Sequence, residues 1–237
     1  MQAFVSYSKI SFIIFSLLIM AGCASTTNYN SVENLNSSEN ANPRLIIMPI
    51  DVELSILGAT GVTEVQAEWT ADARGFLEQE ITDHLAANNS DATLFNNDVQ
   101  DIDSVQAQPE KLHEAVGYSI LVHEVGAVKL PTRPKNGTWT LGEKASVLKE
   151  KTGADYALFV FMRDSYASAG RKAMQVFGAL VGVGIPGGTQ LGFSSLVDLN
   201  TGDIVWFNRL ISSSGDLREQ DSARETVANL LDSIPSA

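Results

Sequence analysis

The chain has 237 residues and carries 28 acidic against 16 basic side chains, which gives a net charge of −12 at neutral pH. This excess of acid disfavours nucleic acid and anionic lipid headgroups as partners of the folded body. Cys23 is the single cysteine, so an intramolecular disulfide is excluded.

The first 22 residues have the pattern of an export signal. Lys9 is followed by an apolar run from Ile10 to Met20, and the small residues Ala21 and Gly22 come next. A basic start, an apolar core and small residues at the end are typical of a secretory signal peptide. The apolar run of 11 residues is shorter than the roughly 20 that a transmembrane helix needs. We therefore predict a signal peptide over residues 1–22.

The end of this segment, Met20-Ala-Gly-Cys23, resembles the bacterial lipobox. That resemblance implies that Cys23 is diacylglycerylated and becomes the mature N-terminus; the alternative is cleavage at an ordinary secretory site. The lipobox pattern prefers Leu where this chain has Met20. Ala24 and Ser25 follow the cysteine without an Asp, which resembles an outer-membrane sorting signal. We expect a lipid-anchored protein of the outer membrane that faces the periplasm.

Residues 24–42 read ASTTNYNSVENLNSSENAN and are mostly Asn, Ser and Thr. Such a composition buries too little apolar surface to offset the entropy of ordering the chain. We therefore predict a lipidated cysteine and a disordered tether over 23–42. About 195 residues remain for one folded domain over 43–237.

The first half of this domain predicts two strands and two helices. Residues 44–54 are Ile-rich and β-branched, which favours a buried strand, with Pro49 at a bulge or at the point where the strand leaves the sheet. Residues 69–85 have the apolar spacing of a helix, and 93–95 suit a short strand. Pro109 opens a second helix. Its predicted buried stripe comprises Leu112, Ala115, Val116 and Ile120.

The second half of the domain carries clearer sequence signals for where its helices and strands begin and end. Thr140 and Glu143 have the spacing of a capping box, and Gly153 would end the helix that follows. A strand is predicted over 155–163. Two apolar runs flank Asn200-Thr-Gly202, which predicts a β-hairpin, and a last helix is predicted over 217–234. This order indicates an α/β or α+β fold, a three-layer body with a central mixed sheet and flanking helices.

Gly182, Gly184 and Gly187 fit the spacing G-x-G-x-x-G of a dinucleotide-binding turn. Such a turn follows a strand and opens a helix, whose N-terminus faces the pyrophosphate. Here a predicted strand over 189–199 follows the glycines, and Pro186 stiffens the turn. We therefore predict neither a nucleotide nor any other cofactor.

The segment 173–185, AMQVFGALVGVGI, is strongly apolar and rich in small residues. One interpretation is a buried connection packed against the sheet. The other is an exposed surface for self-association, for an envelope protein or for the membrane. Gly178-x-x-x-Gly182 would let another backbone approach closely if this segment were helical. The candidate contact residues are Val176, Phe177, Gly178, Leu180 and Gly182.

Sequence patterns for catalysis and for metal binding are weak. His-Glu occurs at 113–114 and 123–124, but H-E-x-x-H is missing. The stretch 192–196 lacks the closing glycine of G-x-S-x-G, and no histidine follows it. Two acid pairs, Asp51 with Glu53 and Asp155 with Asp164, could in principle act together. Surface carboxylates are the simpler interpretation in so acidic a chain, so we predict no enzyme, no catalytic residue and no metal site.

Three segments, RLIIMPID, KTGADYALFVFM and SSLVDLNTGDIVWFNRL, resemble lipoproteins whose body is like the curli secretion lipoprotein CsgG and the amino-terminal domain of TolB. The resemblance spans about residues 43–234. It implies a periplasmic α/β body that acts in envelope assembly or secretion by protein contact, with no catalytic residues.

Two more specific roles stay open under this resemblance. One is activation of a peptidoglycan synthase, as by LpoB. The other is a subunit of a CsgG-like oligomeric secretion pore, which would make the chain a homo-oligomer. Residues 173–187 do not show the alternation of apolar and polar residues that membrane-inserted strands need.

Overall fold

The computed structural model describes residues 25–30, 35, 43–88, 90, 92–95, 107–132 and 137–236. Within these ranges eight strands form one mixed sheet in the order β1-β8-β7-β6-β2-β5, while β3 pairs with β6 and β4 pairs with β3. The strands are β1 Ser25–Asn30, β2 Leu45–Ile47, β3 Asp51–Leu57, β4 Thr63–Val65, β5 Ala92–Leu94, β6 Tyr156–Ala167, β7 Gln190–Asp198 and β8 Ile204–Ser212.

Five α-helices accompany the sheet in the described part of the chain. They are α1 Ala67–Ala87, α2 Ala107–Ile120, α3 Ser146–Thr152, α4 Ala169–Leu180 and α5 Gln220–Leu230. A π-helical turn, Leu121–Val125, extends α2, and a 3-10 turn, Glu143–Ala145, precedes α3. The predicted α/β body with a central mixed sheet is confirmed.

The sheet has one hydrophobic core on each face, which gives the three layers. On one face α1 and α5 cover the sheet, with Leu77, Leu158 and Trp206 among the fully buried side chains. On the other face α2 and α3 cover it, around Phe161 and Phe193. Trp206 is wholly buried, as expected for the predicted hairpin of β7 and β8.

The predicted strand over 44–54 is two strands. Both β2 and β3 run parallel to β6, with Leu45 opposite Tyr156 and Asp51 opposite Phe161. The chain leaves the sheet between them at Pro49, which has no N–H to donate to a neighbouring strand. The break confirms the expected effect of Pro49.

The predicted buried stripe of α2 is wrong in part. Leu112 and Ala115 are exposed, and the helix instead turns His113, Gly117 and Ile120 inward. A Cβ atom at Gly117 would lie 2.1 Å from the Phe193 ring. The missing side chain therefore allows α2 to approach the sheet on this face.

The predicted capping box is also wrong. The Thr140 hydroxyl accepts from the N–H of Gly142 and donates to the carbonyl of Gly202, so it joins the β7–β8 turn rather than capping α3. The predicted helix end is confirmed, because Gly153 has a left-handed φ of 68° and its N–H donates to Lys149.

The predicted flexible tether is wrong for residues 25–30. These residues form β1, which pairs antiparallel with β8 from Ser25 opposite Ile211 to Asn30 opposite Trp206. An edge strand needs only backbone pairing on one side, so a polar sequence can supply it. Further along, Leu35 is buried and its N–H donates to the carbonyl of Ser236. Cys23 lies outside the described residues.

Candidate contact surface

The segment that contains the predicted contact residues begins as helix α4 directly after β6. Ser168 caps the helix, because its hydroxyl accepts from the N–H of Arg171 at 3.1 Å. The helix ends at Leu180, and Gly182 follows with a left-handed φ of 76°. Neither of the two interpretations from the sequence specified this helix.

The chain after α4 folds back against the helix. The N–H of Val183 donates to the carbonyl of Gly178 at 2.8 Å, and the Gln175 amide donates to the carbonyl of Ile185 at 3.2 Å. A Cβ atom on the buried Gly178 would lie 2.7 Å from the Val183 oxygen. Gly178 therefore serves this return of the chain and does not face a partner, contrary to its predicted contact role.

The outer side of α4 and of the returning chain is apolar and exposed. Val176, Phe177 and Leu180 are 66%, 68% and 80% exposed. The interpretation as a buried connection is therefore wrong for these side chains. Gly182 is also exposed. We call this surface the apolar tip and define it as Met174, Val176, Phe177, Leu180, Val181 and Val183.

The stretch of sequence that forms the apolar tip differs in charge from the rest of this acidic chain. Residues 165–197 contain no Asp or Glu, although the chain has 28 acidic residues, and the cations between these bounds are Arg171 and Lys172. Arg171 donates to the carbonyl of Pro186 at 3.0 Å, and Lys172 is exposed. This acid-free stretch is a signal in the sequence that could have marked the surface. The individual contact residues predicted from the sequence did not include Met174, Val181 and Val183, which lie in the same segment 173–185, or the neighbouring cations Arg171 and Lys172.

A buried polar network fixes the base of α4. The Tyr166 hydroxyl donates to Asp164 at 2.6 Å and accepts from the N–H of Leu217 at 2.9 Å. The Gln190 amide also donates to Asp164, at 3.1 Å. Burial raises the pKa of Asp164, and the hydrogen bonds that it accepts from Tyr166, Gln190 and the N–H of Leu217 oppose that rise. Arg218 stacks over the Tyr166 ring, 4.0 Å from its centroid.

The turn between β3 and β4 lies beside this base. The N–H of Ser168 donates to the carbonyl of Leu57 at 3.0 Å, and Gly170 faces Ala59. Val62 in this turn is 69% exposed, so a further apolar side chain stands at the same end of the sheet.

The strand register also places the start of β1 at this end of the sheet. Ser25 pairs with Ile211, Ile211 with Leu191, and Leu191 with Arg163. Because β1 runs antiparallel to β8, the chain enters β1 at the end where β6 leaves the sheet for α4. Cys23 precedes Ser25 by two residues.

The predicted acid pairs are held apart or engaged elsewhere. Asp155 and Asp164 lie at opposite ends of β6, about 30 Å apart at 3.3 Å per residue. Asp155 accepts from Lys149 at 3.3 Å, and Asp51 accepts from Arg163 at 2.7 Å. Asp155 and Asp164 therefore share no site, whereas Asp51 and Glu53 lie on the same face of β3, where the Asp51 carboxylate is engaged by Arg163.

His113 lies in the core of the face covered by α2. Its ring stacks on Phe159 and its Nε2 is 2.9 Å from the Ser195 hydroxyl. Burial lowers the pKa of His113 to about 3, so the imidazole is neutral at physiological pH. No group of three His, Cys, Asp or Glu side chains suited to a metal is found among the described residues.

The glycines of the G-x-G-x-x-G spacing follow α4 and lead into β7, so they do not open a helix. Their arrangement is the reverse of a dinucleotide-binding turn, which follows a strand and precedes a helix. In the described residues no helix has the length and apolar character needed to cross a membrane.

Comparison with known proteins gives no family. No family matches the sequence, and no curated protein matches it either. Among solved structures, the PelC dodecamer from Paraburkholderia phytofirmans is similar at 12% identity and a TM-score of 0.42, over 91% of this chain and 99% of that chain. A methionine-for-leucine variant of that PelC dodecamer has 11% identity, the same TM-score and coverage of 91% and 100%.

Proposed function

We propose that this chain is a lipoprotein of the outer membrane, acylated at Cys23, whose periplasmic body serves envelope assembly or secretion through protein contacts and without catalysis. The export signal and the lipobox-like Met20-Ala-Gly-Cys23 support the anchor. The CsgG-like and TolB-like segments support the role of the body.

The observation that carries this proposal is the position of β1. Ser25 is already paired with Ile211 at the edge of the sheet, two residues after Cys23. Two extended residues span about 7 Å. A lipid on Cys23 would therefore hold this end of the sheet at the membrane surface.

The engagement of the candidate chemical groups supports a role without catalysis. Asp164 is committed to Tyr166 and Gln190, and His113 to Ser195. Both are buried within packed cores or hydrogen-bond networks that hold the fold together. In this proposal the exposed surface of the body makes the contacts with partner proteins.

Metabolic labelling with palmitate and fractionation of the envelope test the anchor. We expect label on the wild-type protein, which should be in the outer-membrane fraction, and unprocessed, unlabelled precursor for Cys23→Ser. Ser25→Ala keeps the cysteine and serves as the matched control, which should label normally. Palmitate on Cys23→Ser at the wild-type level would contradict the proposal.

Crosslinking in intact cells tests the role of the body. A photoreactive amino acid at an exposed position such as Leu112 or Val128 should capture envelope proteins. Recovery of a peptidoglycan synthase would identify the activator role, and recovery of further copies of this chain the oligomeric secretion role. Capture of no envelope protein from any exposed position would contradict a role in protein contact.

A further inference from the structure

We propose that the apolar tip is a second membrane contact, which lies in the headgroup region of the same leaflet that holds the lipid on Cys23. This inference rests on the proposed acylation of Cys23. It assigns to α4 and the following chain a lipid surface as their partner.

The sheet register is the first argument. Ser25 stands in one row with Ile211, Leu191 and Arg163, three strand spacings or about 14 Å from β6. From that row β6 continues four residues to Ala167, where α4 follows at once. Ser25 and the start of α4 therefore lie at the same end of the sheet. A lipid on Cys23, two residues before Ser25, would join the membrane at the end of the sheet that carries the apolar tip.

The chemistry of the surface is the second argument. A helix that lies in a membrane interface carries bulky apolar side chains on one side and Lys or Arg beside them. Phe177 and Leu180 are among the most exposed large apolar residues of the described chain. Arg171 and Lys172 lie about one and a half to two and a half helical turns before them. Water leaves these apolar side chains when they enter the boundary between headgroups and acyl chains.

The distribution of charge is the third argument. A body with a net charge of −12 is repelled by anionic headgroups. The stretch 165–197 carries no acid, so α4 and the returning chain add no negative charge of their own to a contact with the leaflet. Of the two cations in this stretch, Lys172 is exposed to solvent, whereas Arg171 donates to the carbonyl of Pro186.

The lipid makes a weak contact effective. A few exposed side chains bind a bilayer only weakly, whereas the two acyl chains of a diacylglyceryl group on Cys23 would anchor the chain stably. A second attachment on the same body becomes an intramolecular event with a high effective concentration. We therefore expect the apolar tip to insert when the chain is anchored and to bind vesicles weakly by itself.

Site-specific fluorescence on the full lipidated protein tests this inference. The acylated Cys23 sulfur is blocked as a thioether, so Phe177→Cys provides a single reactive thiol for the dye NBD. The matched control is Glu150→Cys, on α3 at the opposite end of the sheet, next to Lys149, which contacts Asn200 of the β7–β8 turn. Both proteins are reconstituted in vesicles of phosphatidylethanolamine and phosphatidylglycerol at about 3:1.

We expect a blue-shifted NBD emission at position 177 and at least a twofold quenching by nitroxide-labelled lipid, with neither effect at position 150. Equal emission and equal quenching at the two positions would overturn the inference. A blue shift at position 177 that grows with protein concentration in the absence of vesicles would also overturn it, because a second copy would then be the partner.

A failure of the anchor is distinguishable from a failure of this inference. If Cys23 is not acylated, the wild-type protein itself reacts with NBD and floats with vesicles only to the small extent that the apolar tip alone allows. If Cys23 is acylated but the apolar tip does not contact the membrane, the protein floats and the dye at position 177 stays unquenched.

The double variant Phe177→Glu with Leu180→Glu gives a second test. It should keep the circular-dichroism melt of the wild type, since both side chains are exposed. It should lower the vesicle-bound fraction of the non-acylated mature chain severalfold. An unchanged fraction would overturn the inference.

Discussion

The phenol of Tyr166 donates a 2.6 Å hydrogen bond to the carboxylate of Asp164, and both side chains stand in β6 two residues apart. Side chains two residues apart in a strand point to the same face of the sheet. The pair connects the end of β6 to the chain before α5, because the N–H of Leu217 donates to the same phenol oxygen. This connection holds the strand from which α4 departs.

Removal of the Tyr166 hydroxyl should weaken the buried polar network at the base of α4. Tyr166→Phe leaves Asp164 with one donor fewer in a buried site and leaves the N–H of Leu217 without its acceptor at 2.9 Å. We expect a loss of about 1–3 kcal/mol in the free energy of unfolding at pH 7, measured by urea denaturation. Tyr118→Phe, on the exposed side of α2, is the control and should change stability by less than about 0.5 kcal/mol.

The same substitution should alter the pH dependence of stability. Burial raises the pKa of Asp164 above its value in the unfolded chain, so the folded state holds the proton more tightly and stability falls as the pH rises through this pKa. Without the Tyr166 hydrogen bond the pKa should rise further, and the fall should move to higher pH. A fall at the wild-type pH in Tyr166→Phe would contradict this coupling.

His113 should make the protein sensitive to acid. Its pKa is about 3 when folded against 6.5 for an exposed histidine, so the unfolded chain binds the proton first as the pH falls. Its contribution to stability is present above pH 6.5 and is lost below it, by about 1.4 kcal/mol per pH unit. His113→Gln should lower this slope between pH 6 and 4. Ser195→Ala keeps the imidazole and should keep the slope; equal slopes in all three proteins would contradict the role of His113.

Trp206 should be the most costly of the hairpin residues to truncate. Its side chain is wholly buried between β8 and the layer of α1 and α5. Trp206→Ala should lower the free energy of unfolding by about 3–5 kcal/mol through lost burial and the cavity that remains. Leu180→Ala, at 80% exposure, is the matched control and should be nearly neutral. A melting temperature unchanged by Trp206→Ala would mean that the packing of this face is wrong.

Pairing of β1 with β8 can be tested with proline. Neighbouring residues on an antiparallel edge strand alternate in their hydrogen bonding, so a double change of Thr27→Pro and Asn28→Pro must remove a bond to the β8 edge. We expect a loss of about 1 kcal/mol or more and faster hydrogen exchange at the β8 amides opposite, near Asn208 and Arg209. A flexible tether would predict no change in either measurement.

The parts of the fold that the sequence predicted well are those with local signals. The apolar spacing of α1, the turn at Asn200-Thr-Gly202 and the left-handed Gly153 each depend on a few neighbouring residues. Their conformations follow from backbone and side-chain sterics close at hand.

The parts that could not be predicted depend on distant partners. The Thr- and Asn-rich β1 has no apolar periodicity, and its pairing depends on the open edge that β8 offers. The inward face of α2 depends on the fit of Gly117 to Phe193, 76 residues away. The apolar residues of α4 were compatible with a buried connection as well as with an exposed surface. Sequence periodicity alone does not say whether an apolar face meets protein, lipid or water.

In the proposed lipoprotein, the six residues of β1 also set how far the body could stand from its anchor. With β1 paired, the two residue steps from Cys23 to Ser25 span at most about 7 Å. If β1 separates from β8, the next described attachment is Leu35, and the 12 residue steps from Cys23 to Leu35 span at most about 40 Å. Separation of this one edge strand would thus convert a body held close to the leaflet into one that can reach well into the periplasm.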